Sequence, residues 1–183
     1  VPQMEFTVTF LSGEHGTLDG ETVQTIDYGN PAIAPTVTPF VGAAFDSWST
    51  AFDNVTSNLT VTARYTFDSE GDGSEDTPYQ IRNRTQLELI NTDLDAHYVL
   101  MADIDLGGVT YDRAVIAPST AESWYFQGTP FTGVFDGGGH AIRNLTIDSP
   151  GDKCCLGLFG SISGNWNNPK LGLVRDLIIQ DAT

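Results

Sequence analysis

The densest group of oxygen ligands in the chain is the stretch DSEGDGSEDTPY, residues 68–79. Asp68, Glu70, Asp72, Ser74 and Asp76 stand at positions 1, 3, 5, 7 and 9 of a loop with Gly73 at position 6. Oxygen donors at alternate positions around a glycine turn can coordinate calcium, provided a bidentate Glu closes the shell at position 12. Position 12 is Tyr79, and the flanking residues are patterned as strands rather than helices. The stretch therefore reads as a solvated acidic hinge over residues 68–76, with calcium held by Asp68, Glu70, Asp72 and Asp76 as the alternative.

Paired carboxylates are the other chemistry to weigh, because glycoside cleavage uses two of them across one bond. Asp103 and Asp105 are spaced i and i+2 on one strand face, and Asp136 opens the turn DGGGH. The plainer reading is that the first two occupy outward or turn-capping positions of ADIDL and that Asp136 caps its turn. Arg113, Arg143 and Arg175 belong to no acidic cluster visible in the sequence. His15, His97 and His140 lack the paired spacing of a zinc site. Gly137, Gly138 and Gly139 are followed by neither a helix nor a Lys, as a phosphate loop requires. No catalytic constellation emerges, and no cofactor other than calcium is implied.

Cys154 and Cys155 are adjacent, and neighbours on a strand project to opposite faces. A buried thiol beside a surface thiol is expected, with a strained bridge between the two as the alternative.

The composition narrows the partners. The net charge of −16, from 24 acidic and 8 basic residues, repels nucleic acid and anionic lipid. The longest apolar runs are far shorter than the roughly 20 residues that span a bilayer. No charged and then apolar leader opens the chain, and Val1-Pro2-Gln3 suits a mature N-terminus. Four Asn-x-Ser/Thr sequons, at Asn54, Asn58, Asn83 and Asn144, are candidate glycosylation sites on an extracellular protein.

The elements that must carry these groups are mostly β. FTVTF at residues 6–10 and LTVTARY at 59–65 alternate apolar and polar residues, as half-buried strands do, and residues 22–26 form a strand between them. Phe45, Trp48 and Phe52 are large enough to make much of a small core, so Trp48 reads as core rather than as a sugar-stacking surface. FTVTF, Tyr28-Gly29, Ala34-Pro35, Trp48 and VTSNLTVTARY resemble the internalin-type B repeat, or Listeria-Bacteroides repeat. That resemblance implies a β-grasp-like module of a bacterial surface protein over residues 1–67.

Residues 85–93 predict a short helix with Leu87, Ile90 and Leu94 on one stripe and Asn83 or Thr85 as cap. Short strands over 98–106, 131–136, 141–147 and 173–179 follow. RNLTID at 143–148 aligns with RDLIIQ at 175–180, an offset of 175 minus 143, or 32, which predicts stacked coils with Leu145 over Leu177 and Ile147 over Ile179. GSEDTPYQI, TQLELI, HYVLMADIDL, FTGVFDGGGHAIRNLTI and LGLFGSISG resemble the β-helical domains that carry GLUG motifs in secreted bacterial proteins; residues 117–128 are an insert in that pattern.

The expected architecture is therefore all-β: a β-grasp-like module, then a right-handed parallel β-helix over 77–183 with an N-terminal capping helix. Its last coil, bearing Leu173, Leu177 and Ile179, lacks a cap and is expected to be an assembly surface. The implied function is a non-enzymatic adhesive or structural surface protein that self-associates or adjoins further domains. Carbohydrate binding or polysaccharide degradation is the alternative.

Overall fold

The structure, a computed structural model, describes residues 4–121, 123–149, 154–163 and 172–183. Among the described residues almost all regular structure is strand, with one short α-helix. The chain divides into two compact units, Val1–Asp68 and Ser69–Thr183.

The first unit contains β1 (Glu5–Leu11), β2 (Gly16–Asp19), β3 (Val23–Asp27), β4 (Thr36–Pro39), β5 (Ala43–Trp48) and β6 (Leu59–Phe67). Strands β3, β1, β6 and β5 form one sheet in that order, and β2 pairs with β4. The two alternating segments seen in the sequence lie side by side and parallel, with Val8 beside Leu59 and Phe10 beside Val61. Period-two alternation turns Val8, Phe10 and Val61 to one face, where they bury with Ala32 and Val55. Phe10 meets Trp48 and Phe52 edge-on, each at 5.2 Å between ring centres.

Trp48 and Phe52 thus pack on the core as expected. Phe45 does not: it remains 37 % exposed on the far side of Trp48, because the ladder with β6 shifts register between Phe45 and Ser47. The irregular chain from Gly29 to Pro35 is held by buried Gln24, whose amide donates to the Ile33 carbonyl at 2.6 Å and accepts from the Ile33 amide at 2.9 Å. Strands β2, β4 and β5 lie where turn residues and prolines had concealed them. Pro39 is tolerated because it closes a short strand.

The second unit contains β7 (Tyr79–Ile81), α1 (Arg84–Leu89) running into a 3-10 turn (Ile90–Thr92), and then β8 (His97–Leu100), β9 (Ile104–Asp105) and β10 (Thr110–Tyr111). After the insert come β11 (Val134–Asp136), β12 (Ala141–Arg143), β13 (Thr146–Ile147), β14 (Leu173–Arg175) and β15 (Ile178–Gln180). Every pairing among these strands is parallel, in ladders ordered β14-β11-β8-β7, β15-β12-β9 and β10-β13. Tyr98, Leu100, Ile104, Phe135 and Ile142 point inward and are 0 to 2 % exposed.

Asn83 caps α1 by accepting the Gln86 amide at 2.9 Å. Six residues are too few to hold a helix alone, so the burial of Leu87, Leu89 and Ile90 stabilises it.

The register corrects the repeat. Ile142, not Ile147, lies beside Ile179, an offset of 179 minus 142, or 37, and Arg175 lies beside Asp136 rather than Arg143. The matched hexapeptides are therefore not equivalent, since Arg143 ends β12 whereas Arg175 ends β14, the strand before β15. The corner between β11 and β12 holds four residues and that between β14 and β15 only two, so a gap-free alignment slips between strands.

Glycine sets the spacing between neighbouring turns of chain. A Cβ on Gly133, Gly137, Gly160 or Gly172 would come within 3.0 Å of the backbone of Ala96, Asp176, Ala117 or Phe131 respectively. None of the four has a positive φ, so close backbone approach alone requires glycine there.

Candidate functional site

The acidic loop folds on itself. Asp72 Oδ1 accepts the Ser74 amide at 3.0 Å and the Thr77 hydroxyl. These hydrogen bonds, Thr77 first and Ser74 next, hold the Asp72 carboxyl down at about 2. The Asp72 and Gly73 amides both donate to the Thr77 carbonyl, at 2.9 and 3.1 Å. Glu70 lies 3.7 Å from Arg82. Among the described residues no three His, Cys, Asp or Glu side chains stand close enough together to hold a metal ion.

The other carboxylates line the outside of the parallel ladders, where the structure supplies partners that the sequence had not revealed. Asp103 sits in the corner before β9. Its Oδ1 accepts the Ala141 amide at 3.0 Å and lies 3.3 Å from His140 Nδ1, and its Oδ2 accepts from Arg143 at 2.7 Å. Arg143 in turn donates to Gln180 Oε1 at 2.7 Å, so one polar chain runs from Asp103 through β12 to β15. Asp105 accepts the Gly107 amide and the Asn144 side chain, each at 2.8 Å. Asp136 caps its turn through the Gly138 amide at 2.9 Å, and its other oxygen accepts from Arg175 at 2.7 to 2.8 Å.

Arg143 and Arg175 thus have acidic partners after all, brought beside them by parallel register. Arg113 pairs with its neighbour Asp112 at 2.8 Å. These bonds lower the carboxyls of Asp103, Asp105 and Asp136, with the Ala141 amide, the Asn144 amide group and the Gly138 amide as the respective largest causes. A general acid needs a carboxyl raised towards neutrality, whereas these three remain anions there. The arrangement can tie neighbouring parallel strands together and present fixed charge. A shallow groove of about 190 Å³ runs past Glu75, His97, Asp136 and Arg175 with the Asp136–Arg175 pair in it.

The four sequon asparagines occupy different settings. Asn54 and Asn58 are exposed, and Asn58 Oδ1 accepts the Thr7 amide at 2.9 Å. Asn83 is the helix cap already described. Asn144 is exposed at a positive φ of 57°, with its side-chain nitrogen donating to Asp105.

At the other end of the ladders, Leu173, Ile178 and Ile179 are 46, 44 and 43 % exposed, and Leu177 is half-buried. Ile178 was not singled out in the sequence, because the shifted alignment left it off the apolar stripe.

The cysteines overturn the expectation of two separate thiols: Cys154 and Cys155 form a disulfide. Cys155 adopts a φ of 66°, so the two side chains do not alternate as they would on a strand. The insert also exposes two aromatic residues that sequence reasoning passed over, Trp124 and Tyr125. After Glu122 the chain from 123 to 131, SWYFQGTPF, contains no Asp, Glu, Lys or Arg, a signal readable from the sequence in so acidic a chain.

Among the described residues no helix is long and apolar enough to cross a membrane. Comparison with known protein families and with solved structures gives no match. The chain is similar to Halomucin of Haloquadratum walsbyi, with 32 % identity over 160 residues, which covers 78 % of this chain. It spans about 2 % of the length of that curated relative.

Proposed function

We propose that the chain is a non-enzymatic extracellular structural module, composed of a B-repeat-like β-grasp unit and a GLUG-type right-handed β-helix capped by α1. It assembles through the coil formed by β14 and β15. The observation that carries this reading is the parallel stacking of β8, β11 and β14 and of β9, β12 and β15, whose outermost strands expose Leu173, Ile178 and Ile179. Such stacked coils bury their apolar faces only on one another, so an outer coil with exposed Leu and Ile is suited to receive the next one. A second copy seated head to tail, or an adjoining domain of a longer surface protein, supplies it and extends the array.

Similarity to a small part of a much longer protein supports a modular role, and that relative's name, Halomucin, supports an extracellular setting. The low count of 8 basic residues against 24 acidic ones suits a surface that stays hydrated and repels polyanions. The reading requires no calcium, and a calorimetric titration with millimolar calcium is expected to give no heat.

Light scattering after size exclusion, with electron microscopy of the same fractions, tests assembly. Mass should rise with concentration and fall back to the monomer in Ile178→Asp and Ile179→Asp. A monodisperse monomer at every concentration refutes the assembly reading.

A further inference from the structure

We infer that the insert carrying Trp124 and Tyr125 is a binding site for neutral glycans. This goes beyond the structural role above and does not rest on it.

Trp124 and Tyr125 are 80 and 69 % exposed, whereas Tyr98, Phe131 and Phe135 of the same unit are buried to within 1 %. The loop that holds these two side chains out is tied down on three sides. At its root, Asn91 donates to the Val115 carbonyl at 2.7 Å and accepts the Ala117 amide at 2.8 Å. At its waist, the Thr120 amide and hydroxyl donate to the Gln127 carbonyl, and the Gln127 amide donates to the Ser119 hydroxyl at 3.2 Å. On its flank, the Cys154 amide donates to the Ser123 carbonyl at 3.1 Å, and Cys154 is itself bonded to Cys155.

The chemistry of the tip selects the ligand. Trp and Tyr each offer a flat apolar face with a polar edge, which matches the C–H face and hydroxyl rim of a sugar ring. Both are rigid, so little conformational freedom is lost on binding. The insert, residues 117–128, holds a single charged residue, Glu122, and no Lys or Arg, while the chain as a whole carries −16, which disfavours anionic polysaccharides and anionic membranes. Trp124 and Tyr125, flanked by Ser123 and the half-buried Phe126, also offer far less area than the roughly 800 Å² per partner of a stable protein interface.

The test is affinity electrophoresis of the full chain in native gels containing dextran, a soluble β-1,3-glucan, galactomannan or xyloglucan, with alginate as the anionic comparison. Flotation with phosphatidylcholine vesicles is run alongside. At least one neutral polysaccharide should retard the chain and alginate should not. Trp124→Ala and Tyr125→Ala should each weaken binding about tenfold, the loss typical of an aromatic anchor. Tyr28→Ala, at a side chain 59 % exposed in the first unit, should leave binding unchanged. Circular dichroism should show both loop variants folded, since their side chains are largely in solvent. No retardation by any neutral polysaccharide overturns the inference. So does retardation equal in wild type and both loop variants, or binding that depends on Trp124 but is seen only with vesicles.

Discussion

Replacing Gly137 by Ala tests the contact between neighbouring parallel segments directly. Gly137 has no positive φ, so Ala suits its backbone, and the perturbation is a single methyl group. That methyl would lie 2.5 Å from Leu177 Cα and closer still to the Asp176 carbonyl, both backbone atoms that cannot rotate away. Relief requires the β14–β15 segment to move outward, straining the bonds from the Gly137 amide to Arg175 O at 2.8 Å and from the Gly139 amide to Asp176 O at 2.9 Å. Overpacking costs about 1–3 kcal/mol and each weakened bond about 1 kcal/mol, so the local loss is about 3–5 kcal/mol. Gly139→Ala is the control: its φ of 78° makes Ala unfavourable by about 1–2 kcal/mol, but the space around it is open. Amide hydrogen exchange reads the difference. Protection at Leu173, Ile178 and Thr183, which donate to Gly133, His140 and Leu145 of the preceding coil, should fall about 100-fold or more in Gly137→Ala and far less in Gly139→Ala. Equal losses in the two variants, or unchanged protection of the outer coil in the first, would refute the claim that close backbone approach dictates glycine here.

Acid should loosen the 69–78 loop. The Asp72 carboxyl is lowered to about 2, so its contribution to stability is present above the ordinary aspartate range and is lost as pH falls through the folded value. A carboxyl-carbon NMR titration should give a midpoint near 2 that rises in Thr77→Val; an unmoved midpoint would contradict the hydrogen-bond cause. Salt should stabilise the chain: raising ionic strength from about 0.01 to 1 M shortens the screening length from about 30 to 3 Å and damps the self-repulsion of −16 charges. Melting temperature should climb with NaCl, and a decline would show that screened ion pairs outweigh repulsion. Phe10→Ala removes a side chain wedged between Trp48 and Phe52 and should cost the first unit about 3–5 kcal/mol. Trp48 fluorescence should report that loss, and a cost below about 1 kcal/mol would mean Phe10 is not the centre of the core.

By itself, the sequence established what depends on neighbours along the chain. Alternation placed β1 and β6, a cap at Asn83 or Thr85 and the stripe of Leu87, Ile90 and Leu94 located α1, and the short-range turn chemistry of Asp136 was legible because its partner, Gly138, is two residues away. Charge balance is additive over residues, so its consequences for partners needed no coordinates. Tertiary structure decided whatever depends on register. Corners of unequal length shifted the coils, so Arg175 met Asp136, Arg143 met Asp103, and Ile179 met Ile142, pairings that no gap-free alignment yields. The bond between Cys154 and Cys155 follows from a backbone that leaves strand geometry at Cys155. The acidic loop shows the same division: its alternating oxygens are visible in the letters, but Thr77 and Ser74 take up Asp72, and that depends on how the chain closes over residues 72–77. Burial likewise separates Trp48, packed on a core, from Trp124, held out in solvent, although the residue type is the same.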